Sequence, residues 1–248
     1  MPPRPDHRAV YEAAAAAFDG TRDRRLVEGA WLACFLALVA DGAPVLDLGC
    51  GAGEPIAAHL VAAGHPVTGV DFAPAMLALA RSRFPAETWI EADMRNLDLG
   101  RRFGGIVAWD SFFHLTADEQ RALIPRLAGH LLPGGALLFT AGPDAGEAWG
   151  SVGGAPVWHA SLSPAGYAAG LEASGLLLRG FLAEDPDCAG RSVWLARRRQ
   201  GDRPSARERA AAGARAPAGF GRARNLAGRV RPAAAVPAVV LEKPRAIG

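Results

Sequence analysis

Short apolar runs recur along the first 200 residues, each bounded by Gly, Pro or Asp. Runs rich in Val, Ile and Leu without polar alternation are the pattern of parallel strands buried on both faces. They lie near 45–49, 66–71, 88–92, 104–110, 135–141, 177–184 and 191–198. Between most of them the apolar spacing turns helical. Residues 22–40 predict a leading helix, and Glu54–Ala63 a second. Pro74–Arg83 opens with proline, which suits a first helical turn. Asp118–Leu132 runs into the Pro-Gly-Gly stop at 133–135, and Pro164–Ser174 ends before Gly175. Strand and helix in alternation predict an α/β fold, a doubly wound, mostly parallel sheet with helices on both faces. The last two runs are separated only by Asp185–Gly190, which predicts an antiparallel hairpin at one edge.

Two stretches break this rhythm. Residues 142–163, GPDAGEAWGSVGGAPVWHASLS, are too long for a tight turn. A substrate lid over the strand ends and a surface excursion over an edge both fit them. Residues 200–248 are mostly Ala, Arg, Pro and Gly, a composition that buries too little apolar surface to offset its ordering entropy. They are expected to be a disordered tail. This divides the chain into a helical cover at 1–40, a domain at 41–199 and the tail.

Charge sharpens the division. From Gly201 onward ten basic residues face three acids, a balance of +7, which leaves −5 for the rest of a chain of net charge +2. A mildly acidic body is unlike a nucleic-acid-binding domain, although the tail offers contacts to RNA or acidic lipid. Cys34, Cys50 and Cys188 are far apart and show no metal-ligand spacing, so no metal is expected. The start, MPPRPDHRAVYE, lacks the apolar core of a signal peptide. The longest apolar run, residues 26–40, contains Glu28 and is too short to span a bilayer. A cytoplasmic protein is expected.

The most informative stretch is VLDLGCGAGEP at 45–55. A strand ends there, and glycine follows at every second position: Gly49, Gly51 and Gly53. Glycines let backbone approach a ligand closely, and in an open parallel sheet ligands sit beyond the carboxyl ends of the strands. The spacing is neither the Gly-x-Gly-x-x-Gly of dinucleotide sites nor a phosphate loop. Asp47 would repel a pyrophosphate and attract a cation. Asp71 ends the next strand, 18 positions after Gly53, where a carboxylate accepts hydrogen bonds from ribose hydroxyls. Phe72 can lie against an adenine. Asp93 and Met94 follow the third strand, where the acid can accept from an adenine amino group and the Met94 N–H can donate to the ring.

These segments, with GVDFAPAML, EADM, FGGIVAWDSFFHL and LLPGGALLFTAG, resemble the class I S-adenosylmethionine-dependent methyltransferases over roughly residues 40–200. The resemblance implies a Rossmann-like sheet of seven strands with the last antiparallel. It also implies S-adenosylmethionine as methyl donor and S-adenosylhomocysteine as product. Asp47, Gly49, Gly51, Gly53, Asp71, Asp93 and Met94 would hold the donor.

Donor and acceptor meet in such folds beyond the fourth strand, here WDSFFHL at 109–115. Trp109, Asp110 and Ser111 can touch the donor. Phe112 and Phe113 can line an acceptor pocket or belong to the core. His114 is the first candidate for a general base, with His159 and Tyr11 behind it, or else a residue packed against its loop. Arg22 and Arg25 are candidates for the donor carboxylate. No Asn-Pro-Pro-Tyr motif of base-amine methylation occurs, so a small-molecule acceptor is the default. The competing readings are an RNA or protein methyltransferase recruited through the tail, a nicotinamide-dependent oxidoreductase, and a non-catalytic donor-binding domain.

Overall fold

A computed structural model describes residues 4–200; the basic tail expected to be disordered lies outside them. The order is α1 (His7–Thr21), α2 (Gly29–Leu36), β1 (Val45–Leu48), α3 (Ile56–Ala62), β2 (Val67–Asp71), α4 (Pro74–Arg83), β3 (Thr88–Glu91) and β4 (Phe103–Ala108). It continues with α5 (Ala117–His130), β5 (Leu131–Ala141), β6 (Gly146–Val152), β7 (Ala155–Ser161), α6 (Pro164–Ala173), β8 (Leu176–Asp185) and β9 (Arg191–Arg198). Seven strands form one sheet in the order β3-β2-β1-β4-β5-β9-β8. The first five run parallel, and β9 is antiparallel to both its neighbours. This is the predicted seven-stranded, doubly wound sheet with its edge hairpin. Among the described residues no helix is long and apolar enough to cross a membrane.

Alternation along the strands fills two layers. Leu46 and Leu48 of β1 join Ile106, Leu137 and Phe139 under α5 and α6, while Val45 joins Val107, Leu138, Phe35 and Leu60 on the other face, under α2 and α3. Each such side chain contributes roughly 1.5–3 kcal/mol by leaving water. The closeness of α2 depends on glycine in β4. A Cβ at Gly105 would lie 2.3 Å from the Phe35 ring. Helix starts are chemically marked: Thr116 and Glu119 form a capping box on α5, and Ser163 accepts from the Gly166 N–H ahead of α6.

Two expectations are corrected, and a third region proves to be regular structure. Residues 22–40 are not one helix. The chain turns at Leu26, whose φ is +55°, and helix resumes only at Gly29. Helix α5 stops at His130, and the Pro-Gly-Gly segment lies within β5, because Leu131 already pairs with Phe103. Residues 142–163 are regular where no strand was predicted. They fold into the antiparallel hairpin β6–β7, in register with Trp149 opposite Trp158 and Ala148 opposite His159.

Candidate functional site

The carboxyl ends of β1, β2 and β4 open into an inner cavity roofed by α1. Asp47 is one of its walls. Strand alternation puts Asp47 on the α3 side of the sheet, and it is only 3% exposed. Its Oδ2 has no hydrogen-bond partner. Burial, and then the charge of Asp71, push its carboxyl up to about 7. A buried carboxylate oxygen with nothing to accept from is costly unless a donor arrives. Trp109, 4% exposed, presents the complementary case in the same cavity: an indole Nε1–H without an acceptor.

Asp71 is held more completely. Oδ2 accepts from the Gly51 N–H at 2.9 Å and Oδ1 from the Ala73 N–H at 2.9 Å. Burial raises its carboxyl, and these backbone donors hold the rise back. Each oxygen keeps a lone pair for a further donor. Gly49 and Gly51 line the cavity in left-handed conformations, φ +76° and +51°. A Cβ at Gly49 would lie 2.2 Å from that of Ser111, whose hydroxyl donates to the Leu48 carbonyl at 2.7 Å. Gly53 does not line the cavity; it lets the loop close against Trp89 and Phe84.

The third-strand acid sits in a side cleft that shares Phe72, Met94 and His114 with the inner cavity. Asp93 is gripped by Arg95, at 2.8 Å from Nε and 2.5 Å from Nη2. Burial lifts its carboxyl and the hydrogen bonds and charge of Arg95 lower it further, so it titrates below the usual range.

The segment after β4 distributes its residues unevenly. Phe112 is 1% exposed and packs on Phe139 and Tyr167, so it is core and not pocket lining. Phe113 points the other way, into a broad cleft under the β6–β7 hairpin, where it meets His159 at 4.5 Å between ring centroids. Asp110 stands between that cleft and the inner cavity at φ +50°. It accepts from Arg191 at 2.8 Å and from Arg22 at 3.2 Å. Arg22 therefore reaches the cavity as expected, whereas Arg25 turns outward and pairs with Asp23 at 2.8 Å.

Tyr11 of α1 lines both the inner cavity and the hairpin cleft. Its hydroxyl is 2.9 Å from Nε2 of His114. His114 Nδ1 faces the Trp158 carbonyl at 3.5 Å, and the Trp158 N–H donates to His7 Nε2 at 3.0 Å. The rings of His7 and His159 lie 4.6 and 5.0 Å from that of His114. Burial, then the charges of His7 and His159, push His114 down to about 3. Burial also lowers His7 and His159 and raises Tyr11 well above the usual phenol range. The cluster is thus uncharged near neutral pH. Sequence reasoning missed His7 and Arg191. Their partners lie 151 and 81 residues away, and no local motif marks either residue.

A family profile described as a methyltransferase domain matches residues 45–135. The chain is 37% identical over 98 residues to the dTDP-3-amino-3,6-dideoxy-alpha-D-glucopyranose N,N-dimethyltransferase of Streptomyces fradiae, covering 39% of this chain and 38% of that protein. The chain thus spans about two fifths of the length of the curated relatives it matches. The CcbJ methyltransferase of Streptomyces caelestis superposes with a TM-score of 0.64 at 22% identity, covering 79% of this chain and all of that one. CalS10, an amino pentose methyltransferase from Micromonospora echinaspora, gives 0.58 at 25% identity, covering 76% and 96%.

Proposed function

Because this chain belongs to the class I S-adenosylmethionine-dependent methyltransferases, we propose that it moves a methyl group from S-adenosylmethionine to an amine nitrogen of a small molecule held under the β6–β7 hairpin. The observation that carries this reading is buried Asp47, a wall of the cavity at the strand ends, whose Oδ2 has no hydrogen-bond partner. Such an atom demands a donor, and a cationic one relieves its buried charge. The ammonium of the methionyl group meets that demand. A pyrophosphate would not, and this disfavours a nicotinamide dinucleotide.

The other residues fit the rest of the donor. Asp71, its orientation fixed by two backbone donors, would take the ribose hydroxyls. The Trp109 indole N–H and Arg22 would face the carboxylate. Phe72 and Met94 would flank the adenine, with Asp93 beside them in the side cleft. When bound, the donor supplies a methyl on a sulfonium with a neutral leaving group. The chain's own contribution is then largely orientation.

Tyr11 and His114 suit an amine. A carbonyl cannot donate, so His114 carries its proton on Nδ1 toward Trp158, and Nε2 accepts from the Tyr11 hydroxyl. The Tyr11 oxygen then presents lone pairs to the junction of cavity and cleft, where they can accept an amine N–H and aim its remaining lone pair. A His114 held near 3 is a weak proton acceptor. An amine entering as the free base needs none, because the product ammonium carries its proton away. Of the two arginines lining the hairpin cleft, Arg191 is engaged by Asp110 and Arg22 is assigned to the donor, which disfavours a carboxylate acceptor. An amino sugar is the acceptor class in the names of several of the relatives, while others are trans-aconitate 2-methyltransferases.

The test is calorimetric titration of the chain with S-adenosylmethionine, S-adenosylhomocysteine and NAD, then of the Asp71→Ala variant. Saturable binding of the two sulfur ligands, lost in the variant, supports the reading. Binding of NAD alone would overturn it. A screen of amine, hydroxyl and carboxylate acceptors follows, and methylation confined to carboxylates would sink the amine assignment.

A further inference from the structure

His7 has no role in the site as derived so far, yet it touches the element that orients His114. It is the first residue of α1, which Asp6 caps. Its Nε2 accepts from the Trp158 backbone N–H at 3.0 Å. The carbonyl of that same residue faces His114 Nδ1. One residue of β7 is therefore held by one histidine through its N–H and holds a second through its carbonyl. Trp158 is further clamped on the hairpin. Its indole donates to Glu147 at 3.1 Å, and the Arg4 guanidinium lies 3.9 Å over its ring.

We propose that His7 is a positioning residue: through the backbone of Trp158 it fixes the tautomer of His114, and so the direction in which the Tyr11 hydroxyl points its proton. This rests on the reading that Tyr11 and His114 orient the acceptor. The direction of every bond in the series follows from the first. A neutral His7 accepting on Nε2 anchors the Trp158 N–H. The Trp158 carbonyl is thereby kept facing His114, which must place its proton on Nδ1 to donate there. The Nε2 lone pair is then free to take the Tyr11 proton, and the Tyr11 oxygen is left an acceptor.

Only the uncharged form of His7 can do this, since an imidazolium has two N–H groups and no acceptor. The groups facing it come from four elements: Asp6 ahead of α1, Arg95 after β3, His114 after β4, and His159 on β7. Burial and then the His159 charge lower its pKa, Asp6 opposes them, and Arg95 adds to the lowering. The series is therefore set at neutral pH and breaks on acidification, when the protonated ring repels the Trp158 N–H.

The test reads tautomers directly. The full chain, labelled with 15N-histidine, is followed residue by residue in long-range proton–nitrogen spectra from pH 8 to 5. Wild type is expected to show His114 with its proton on Nδ1 at pH 8. His7→Gln, whose amide oxygen can replace Nε2 as acceptor, should keep that tautomer, and should hold it to lower pH than wild type does. His7→Ala should give a mixture of the two tautomers with the amide spectrum of the sheet unchanged. The proposal is overturned by an Nε2-protonated His114 in wild type, or by a His114 tautomer indifferent to His7→Ala. If His7→Ala does not fold, His7→Gln decides: a tautomer that switches at the wild-type pH overturns it. Titration with S-adenosylhomocysteine tests the methyl-transfer reading separately, because the tautomers are set without donor.

Discussion

The Tyr11 hydroxyl lies 2.9 Å from Nε2 of His114, across 103 residues of chain. That contact joins the roof of the inner cavity to the end of β4, where the cavity meets the hairpin cleft. Tyr11→Phe keeps the ring against Phe18 and Phe72 and removes only the hydroxyl. With an amine acceptor, kcat should fall about tenfold, equivalent to ~1.4 kcal/mol, while S-adenosylhomocysteine affinity changes less than about twofold. Steady-state kinetics and calorimetry together check this; an equal loss in donor affinity would assign Tyr11 to the donor instead.

Asp47 gives the ligand-free protein a specific pH dependence. Its folded pKa is pushed up to about 7, above the ordinary carboxyl value of roughly 3.9. Below about pH 4 the group is neutral folded and unfolded, and costs nothing. Between there and about 7 only the unfolded chain ionises, so stability falls with rising pH, by on the order of 1.4 kcal/mol per unit at most. Asp47→Asn should flatten the fall in melting temperature over that window while abolishing donor binding. Circular-dichroism melts from pH 4 to 8 decide it; identical slopes in the two proteins would show that Asp47 ionises freely.

Two glycines of one loop should respond differently to the same methyl group. Gly51→Ala meets open space and bears only left-handed strain, about 1–2 kcal/mol. Gly49→Ala adds overlap with Ser111 and should cost roughly 2–3 kcal/mol more. Urea denaturation of the pair measures the difference. Comparable costs would mean that the β4 end yields easily.

Asp110 combines a strained backbone with two arginine partners. Asp110→Ala and Asp110→Gly lose the same carboxylate, but only glycine is at ease at φ +50°. The glycine variant is expected to be the more stable by about 1 kcal/mol. A more stable alanine variant would place the backbone elsewhere in solution.

Adjacent phenylalanines separate stability from recognition. Phe112→Ala should destabilise by about 3–5 kcal/mol, since that ring is enclosed by Phe139 and Tyr167. Phe113→Ala should cost under about 1.5 kcal/mol and instead raise the acceptor KM several-fold. Denaturation curves beside kinetics test both; the reverse pattern would exchange the two roles.

That Asp47 and Asp71 would stand together at the strand ends was legible in the sequence for a local reason. Asp71 ends an apolar run and Asp47 stands one residue before the end of another, and a buried run that meets an acid there marks the carboxyl end of a strand. The sheet followed from the same runs. What the sequence concealed depends on distant partners. Nothing in MPPRPDHRAV marks His7, because its acceptor role is created by a hairpin peptide 151 residues away. The hairpin itself had a turn signal in Gly153–Gly154, but flanking glycines blurred the alternation. The break at Leu26 lies where the apolar run 26–40 begins, and helix resumes only at Gly29, ahead of Phe35, which packs against Gly105. Phe112 and Phe113 could not be sorted by pattern, since a single 3-10 turn points one inward and its neighbour outward.

The roof over the cavity is built from the earliest-made part of the fold and fastened to some of the latest. Arg4 pairs with Glu147, His7 with Trp158 and Arg22 with Asp110, separations of 143, 151 and 88 residues. During synthesis α1 precedes these partners: its apolar face packs on Ala52, Ala73 and Met76, but its polar contacts wait until the hairpin exists. Contacts of such span are slow to form, because loop closure must be met before they stabilise anything. The polar fastening of the roof therefore forms late, and conditions that interrupt synthesis before residue 147 leave Arg4 and His7 without these partners.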